Sequence, residues 1–532
     1  MNSKNPSWTW SAEQLPILEA FERGKGHLKV TARAGAAKTT TCVEGISRAP
    51  EAKKVYLAFN KKNVVEAKAK ITDPKCQVMS LNGLGYRYVL QNWKGTKPDD
   101  DVEFARIDAV IKADSRLAGR KYPPRAVIRD VVAYAKNSRP FAKYEDLLAL
   151  AEAKGYDVED YQEAQGWSLE DVCSVAHRAM QAAKVIDRQG RVSFNDQIWL
   201  PVVMSWVRPW FDLVVVDECQ DMNATQLILA RRAVKKTGRL VTVGDDRQAI
   251  YAFRGADVGG MERLGRELQA QPLTLTTTFR CPRAVVRLAQ ALVPDFQARP
   301  GAPEGEVRRL VNPDHLLTAV QPGDAVVSRF NAPLVKPCLA LLRRRVRAYI
   351  EGRDVGLSLQ AIHAKLPTTD VPAYVVALGA WQADKVARIA GDPESDTYKA
   401  AVQVVEDQAA TLAALAEDAV TVADVGRALA DLFDDSPVDG TAPRPAVVFS
   451  SVHKSKGLEF PNVFLLAETF KGCSWTSDVS ESNNVLYVAV TRAKKTLTWV
   501  GPGGPKGTMP DWTKDAENPV DTTAPTVAGS AV

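Results

Sequence analysis

Residues 213–221 read LVVVDECQD, an unbroken apolar run that stops at two adjacent carboxylates, Asp217 and Glu218. A strand with no polar alternation is one covered on both faces, as in a parallel sheet flanked by helices. The carboxyl edge of such a sheet is where α/β proteins build their sites. A second run, RLVTVG, ends the same way, in Asp245 and Asp246 followed by RQAIYAFRG. Between residues 28 and 45 the chain reads LKVTARAGAAKTTTCVEG, a short β-prone run, a small-residue loop, then Lys38, Thr39 and Thr40 opening a predicted helix.

That loop has the layout of a phosphate-binding loop. There, successive backbone N–H groups (here of Ala34, Gly35, Ala36 and Ala37) cradle phosphates, a lysine reaches the β and γ groups, and a hydroxyl holds Mg²⁺. Ala32 and Ala37 stand where the general pattern has glycine, so the loop by itself is also compatible with an ordinary turn before a helix. Paired with LVVVDECQD it becomes specific. Asp217 and Thr39 form the expected Mg²⁺ ligands, Lys38 the phosphate contact, and Glu218 the group that polarises an attacking water.

The remaining segments resemble, in order, the motifs of the UvrD/Rep (PcrA-like) family of superfamily 1 DNA helicases. WSAEQ with Gln14 resembles the Q motif, ARAGAAKTT motif I, LAFNKK motif Ia, VVVDECQD motif II and VGDDRQAIYAFRGAD motif III. TTTFRCP resembles motif IV, SSVHKSKGLEFPNVFLL motif V and ESNNVLYVAVTRAKK motif VI. The resemblance runs from about residue 10 to 500 and is carried by the order of motifs.

It implies an α/β fold of two RecA-like parallel-sheet domains, each interrupted by a largely helical insert. The expected division is 1–94 with 206–280 for the first domain and 95–205 for its insert. The second domain takes 281–349 with 441–502, its insert 350–440, and 503–532 reads as a disordered tail rich in Pro, Gly and Thr. The second insert is far shorter than in the larger family members, a compact form.

The resemblance further implies that Gln248 senses the γ-phosphate, and that Arg280 and Arg492 reach it from the second domain to stabilise transition-state charge. Gln14 is expected at the adenine edge and Phe279 stacked on the base, although an aromatic beside a strand fits a core position equally. Glu459 is expected at the ribose. Thr40 stands where close relatives carry an Arg beside the adenine. Phe59, Asn60 and Lys61, then Tyr251, Phe253 and Arg254, and finally His453 occupy positions that meet single-stranded nucleic acid in the family. Ser80 and Asn82 replace the family's Thr-x-His pair, and no site is assigned to them.

Composition excludes little. Lys+Arg 69 against Asp+Glu 63 gives +6, so any basic groove is local. The 7 cysteines are scattered without a CxxC pair, which points away from zinc and disulfides, and the first residues lack the regions of a signal peptide. The expectation is a cytoplasmic monomer, bacterial or from a phage-infected cell, without membrane contact. It would use ATP and Mg²⁺ on single-stranded DNA and its junctions with duplex, with replication or repair proteins as partners. A DNA-binding ATPase that remodels partners without unwinding, and an RNA motor of the same superfamily, are the alternatives.

Overall fold

The computed structural model describes residues 9–120, 123–154, 166–251, 255–366, 370–387, 389, 396–433 and 445–507. It is α/β and divides into two compact units. The first comprises Met1–Ala32, Ala37–Leu275 and Arg388–Ala400, and the second Arg33–Ala36, Thr276–Ala387 and Ala401–Val532.

In the first unit β1 (Leu28–Ala32), β2 (Lys54–Ala58), β3 (Cys76–Ser80), β4 (Phe211–Val216), β5 (Val234–Gly244) and β6 (Gln271–Leu275) make a six-stranded sheet in the order β3-β2-β4-β5-β1-β6. Every pairing is parallel. The LVVV run lies in β4 and is fully buried, as is all of β2, because helices cover both faces. The parallel order brings the segments after β1, β2, β4 and β5 to one edge, although the ends of β1 and β5, at Ala32 and Gly244, lie far apart in the chain.

The insert of this unit packs helices Asp101–Ala113, Arg125–Ser138, Tyr144–Lys154 and Leu169–Ala182 around Ile107, Ile128, Val131, Trp167 and Ala176. Helix Asp196–Val203 then lies against helix Leu81–Asn92 so closely that a Cβ on Gly85 would sit 2.1 Å from the Gln197 carbonyl oxygen. At the base of the insert four charges are buried together. Lys136 pairs with Glu103 and, at 2.7 Å, with Asp196, while Arg106 reaches the other Asp196 oxygen at 2.5 Å. The Thr225 hydroxyl donates to the carbonyls of Lys136 and Asn137, and the Asn223 amide to the Asn137 side chain at 3.1 Å, which ties this cluster to the helix that follows β4.

The second unit repeats the architecture. β7 (Glu306–Leu310), β8 (Ala325–Ser328), β9 (Ala348–Ile350), β10 (Val447–Ser451), β11 (Phe460–Leu466) and β12 (Ala493–Val500) form an all-parallel sheet in the order β7-β12-β11-β8-β10-β9. The units change at Leu275, upstream of residue 280, because Thr277–Thr278 pair with Gln297–Ala298 inside the second unit.

Helices Arg353–His363, Val371–Ala387, Asp396–Ala416 and Val422–Leu432 follow β9, but they share one apolar core with the sheet. Tyr374, Leu378, Leu412, Leu415, Val425 and Leu429 pack in the same cluster as Val326, Ile350, Val447 and Phe449. The Asp407 carboxylate fastens this region further, accepting from the Asn331 N–H, the Asn331 amide and the Ala332 N–H at 2.9, 2.8 and 2.7 Å. Of the expected tail, Lys506 is paired, its N–H donating to the Cys473 carbonyl and its own carbonyl accepting from Trp475, while 508–532 lie outside the described residues. No described helix is long and apolar enough to cross a membrane.

Candidate active site

Lys38 is the first residue of helix Lys38–Arg48, directly after the β1 loop. The residue before it, Ala37, takes the left-handed conformation with φ 58° and ψ 34°. Glycine reaches that region freely, whereas a Cβ there costs roughly 1–2 kcal/mol. The loop therefore keeps the backbone path that a glycine would give and carries the strain of lacking one. Ala37→Gly is expected to raise stability by about 1 kcal/mol, read as a higher urea midpoint with an unchanged slope. A lower midpoint would mean that the alanine methyl contributes more by packing than its conformation costs.

The Lys38 ammonium donates to both Glu218 carboxylate oxygens at 2.9 Å. Glu218 is also left-handed, φ 51°, which turns its side chain back across the strand end. The Gln220 amide donates to Glu218 at 2.7 Å, and its oxygen accepts from the Asp245 N–H at 3.0 Å. Asp245 in turn accepts from the Gln248 amide at 2.6 Å. One continuous polar chain thus runs from the helix after β1, past the end of β4, to the end of β5. Gly244 makes room for it, since a Cβ there would lie 2.4 Å from the Gln220 oxygen.

Charge in this chain is unbalanced toward the acids. Burial alone would lower the Lys38 pKa, but Glu218, Asp217 and Asp245 raise it well above the ordinary lysine value, so the ammonium persists. Burial pushes the Asp217 carboxyl up, and the neighbouring Glu218 charge adds to it. Three carboxylates facing one cation make a donor set of hard oxygens, which suits Mg²⁺ held by one or two carboxylates together with phosphate oxygens. Thr39, half-buried, stands beside Lys38 on the same helix turn, and Thr40 is exposed.

Gln14 is fully buried, its oxygen accepting from the Ser11 N–H at 3.0 Å and its amide donating to Thr41 at 2.9 Å. It thus braces helix Lys38–Arg48 from the side. Ala34, Gly35 and Ala36 group with the second unit, where the Gly35 carbonyl accepts from the N–H of half-buried Phe279 at 2.9 Å.

In that unit Arg280 donates to Glu459 at 2.8 Å and to the Thr491 carbonyl at 3.3 Å, while Lys494 holds the other Glu459 oxygen at 3.0 Å. Burial would raise the Glu459 carboxyl, but Lys494 and Arg280 hold it below the usual carboxylate range. Arg492 is buried, donating to the Val488 and Leu458 carbonyls at 2.9 and 3.0 Å. Arg280, Glu459 and Arg492 are therefore brought together around Thr491.

Of the residues expected to meet nucleic acid, Phe59 and Tyr251 stack with ring centroids 6.0 Å apart and planes 14° from parallel, beyond the ends of β2 and β5. The Asn60 side chain accepts from the Asn63 N–H at 2.8 Å and so caps helix Lys61–Lys70, whose first residue, Lys61, is exposed. His453 is half-buried on the short helix Val452–Ser455 that follows β10. Phe253 and Arg254 lie outside the described residues. Gln220, Gly244 and Tyr56, whose hydroxyl donates to Asp217, were given no role by sequence reasoning. Gln220 at least lies inside a quoted motif, so a polar residue two positions past Glu218 was its available signal.

Comparison with known proteins agrees with this architecture. The UvrD/REP helicase N-terminal domain family matches residues 11–269, and the UvrD-like helicase C-terminal domain family matches residues 446–500. F-box DNA helicase protein 1 of Schizosaccharomyces pombe is 23% identical over 542 residues, covering 92% of this chain and 57% of that protein. DNA helicase II of Escherichia coli is 30% identical over 148 residues, 26% of this chain and 20% of that protein. ATP-dependent DNA helicase PcrA of Leuconostoc citreum is 23% identical over 304 residues, 52% of this chain and 38% of that protein. In each case the match spans less than two thirds of the relative's own length.

Proposed function

We propose that this chain, which belongs to the UvrD/Rep family of helicases, is an ATP-driven DNA helicase or translocase that moves on single-stranded DNA, 3′ to 5′. The observation that carries the reading is the polar chain from Lys38 through Glu218, Gln220 and Asp245 to Gln248, because it joins the three strand ends that phosphoryl transfer requires. Lys38 donates to both oxygens of Glu218. When ATP binds, Lys38 turns to the β- and γ-phosphates, and Glu218 is freed to orient the attacking water. Asp217 and Thr39 would hold Mg²⁺, which would supply positive charge beside the phosphates. Gln248 shares its network with Asp245 and lies three residues before Tyr251, so a change at the γ-phosphate reaches the aromatic pair at the nucleic-acid face. In this reading Arg280 and Arg492 complete the site when the two RecA-like units close on the nucleotide, and hydrolysis removes the contacts that favour closure. Junctions with duplex DNA, and replication or repair proteins, are the partners this activity implies.

Steady-state ATP hydrolysis with single-stranded DNA and with RNA of equal length, at two salt concentrations, tests the reading. Stimulation by DNA, together with displacement of a labelled strand from a duplex with a 3′ overhang, is expected. Stimulation without displacement would leave a motor or a partner-remodelling ATPase, and stimulation by RNA alone would reassign the substrate. At the aromatic pair, Phe59→Ala is expected to weaken single-strand binding by about 1–3 kcal/mol at fixed salt. Unchanged affinity by fluorescence anisotropy would remove this pair from the DNA path.

A further inference from the structure

Tyr56 lies in the middle of β2, 1% exposed, and pairs in register with Val215 of β4, two residues before Asp217. Its neighbours Val55 and Leu57 belong to the apolar core of the first unit, so its own side chain points to the opposite face of the sheet. There its hydroxyl donates to one Asp217 carboxylate oxygen. The other Asp217 oxygen accepts from the Glu218 N–H at 2.9 Å, and the Asp217 N–H is anchored on the Leu57 carbonyl at 3.0 Å. Each carboxylate oxygen has about two acceptor positions, so with one described donor on each, one on each is open among the described residues.

We propose that Tyr56 is a positioning residue for the metal, setting the rotamer in which the open lone pairs of Asp217 face the Mg²⁺ position. The proposal rests on the reading of Asp217 as a Mg²⁺ ligand and deepens it. A carboxylate at a strand end has a side chain free to turn about two bonds, and burial disfavours its charged form. A phenol donor fixed by a fully buried ring restricts both motions, as partners behind metal ligands generally do. Because the ring is packed on a strand covered along its whole length, its position is set by the core and not by the metal.

The test is Tyr56→Phe, which keeps the ring and removes only the donor. Binding of a fluorescent ATP analogue is titrated against Mg²⁺ and repeated in EDTA, with the unfolding midpoint measured alongside. The Mg²⁺ concentration at half-saturation is expected to rise about 10- to 100-fold, with nucleotide affinity in EDTA unchanged. Tyr88→Phe removes another buried phenol, one that donates to the Arg208 carbonyl at 3.0 Å, and is expected to leave the Mg²⁺ midpoint in place. If wild type responds to Mg²⁺ and Tyr56→Phe matches it within twofold, the positioning role is overturned. If wild type binds nucleotide with no Mg²⁺ response, the assignment of Asp217 itself fails. Should Tyr56→Phe not fold, Tyr56→Met serves the same comparison.

Discussion

Replacing Lys38 with alanine is expected to lower ATP hydrolysis by about 10²–10³-fold, the loss typical of removing one preorganised group from developing phosphoryl charge. The lysine supplies the cation of the polar chain described above, and three carboxylates hold it charged. Its removal also takes away two of the hydrogen bonds that Glu218 accepts, while that from the Gln220 amide remains. The substitution acts on chemistry more than on folding, because Glu218 is partly open to solvent and keeps some hydration. Single-strand binding without nucleotide should therefore survive in Lys38→Ala while turnover is lost. Hydrolysis within tenfold of wild type would sink the assignment of this loop to the phosphates.

Lys136→Met tests a different part of the molecule and should have the largest effect on stability, about 3–5 kcal/mol. Removing one partner from a buried pair strands the other charge, and here Lys136 and Asp196 are both 0% exposed. Arg231 with Glu267 provides the contrast, at 51% and 55% exposure. Water and salt screen that pair, so Arg231→Ala should cost less than about 1 kcal/mol.

The pH dependence carries a sign that separates the two. Burial would raise the Asp196 carboxyl, but Lys136 and Arg106 hold it below the usual range. A depressed folded-state pKa contributes stability that is present above the unfolded value, about 4, and is lost as pH falls through the folded value. The gap between wild type and Lys136→Met should therefore be widest near neutrality and narrow in acid. A gap that is constant with pH would mean that lost packing, and not the stranded charge, sets the cost.

The parts of the fold legible in the sequence are those fixed by local pattern. LVVV could only be a strand covered on both faces, and the small-residue loop before Lys38 could only open a helix. The order of the motifs then gave two repeated parallel sheets. The second insert read as a helical insert of the second domain, and its Ala/Leu periodicity shows that a helix has an apolar face but not what that face meets. Tyr374, Leu412 and Leu429 meet the sheet core itself.

Polar partners were less legible still. Glu103, Arg106, Lys136 and Asp196 have the composition and spacing of solvated helix charges, and only packing places them together with water excluded. Ala37 shows the division within a single residue: the sequence says that glycine is missing, and the fold decides that the left-handed turn is kept regardless. By itself the sequence determined which groups can carry the chemistry and in what order they follow the strands. The tertiary structure alone decided which oxygen each donor meets, because hydrophobic periodicity is a property of neighbouring residues whereas a hydrogen bond such as Tyr56 to Asp217 is chosen by strand order across 161 positions of chain.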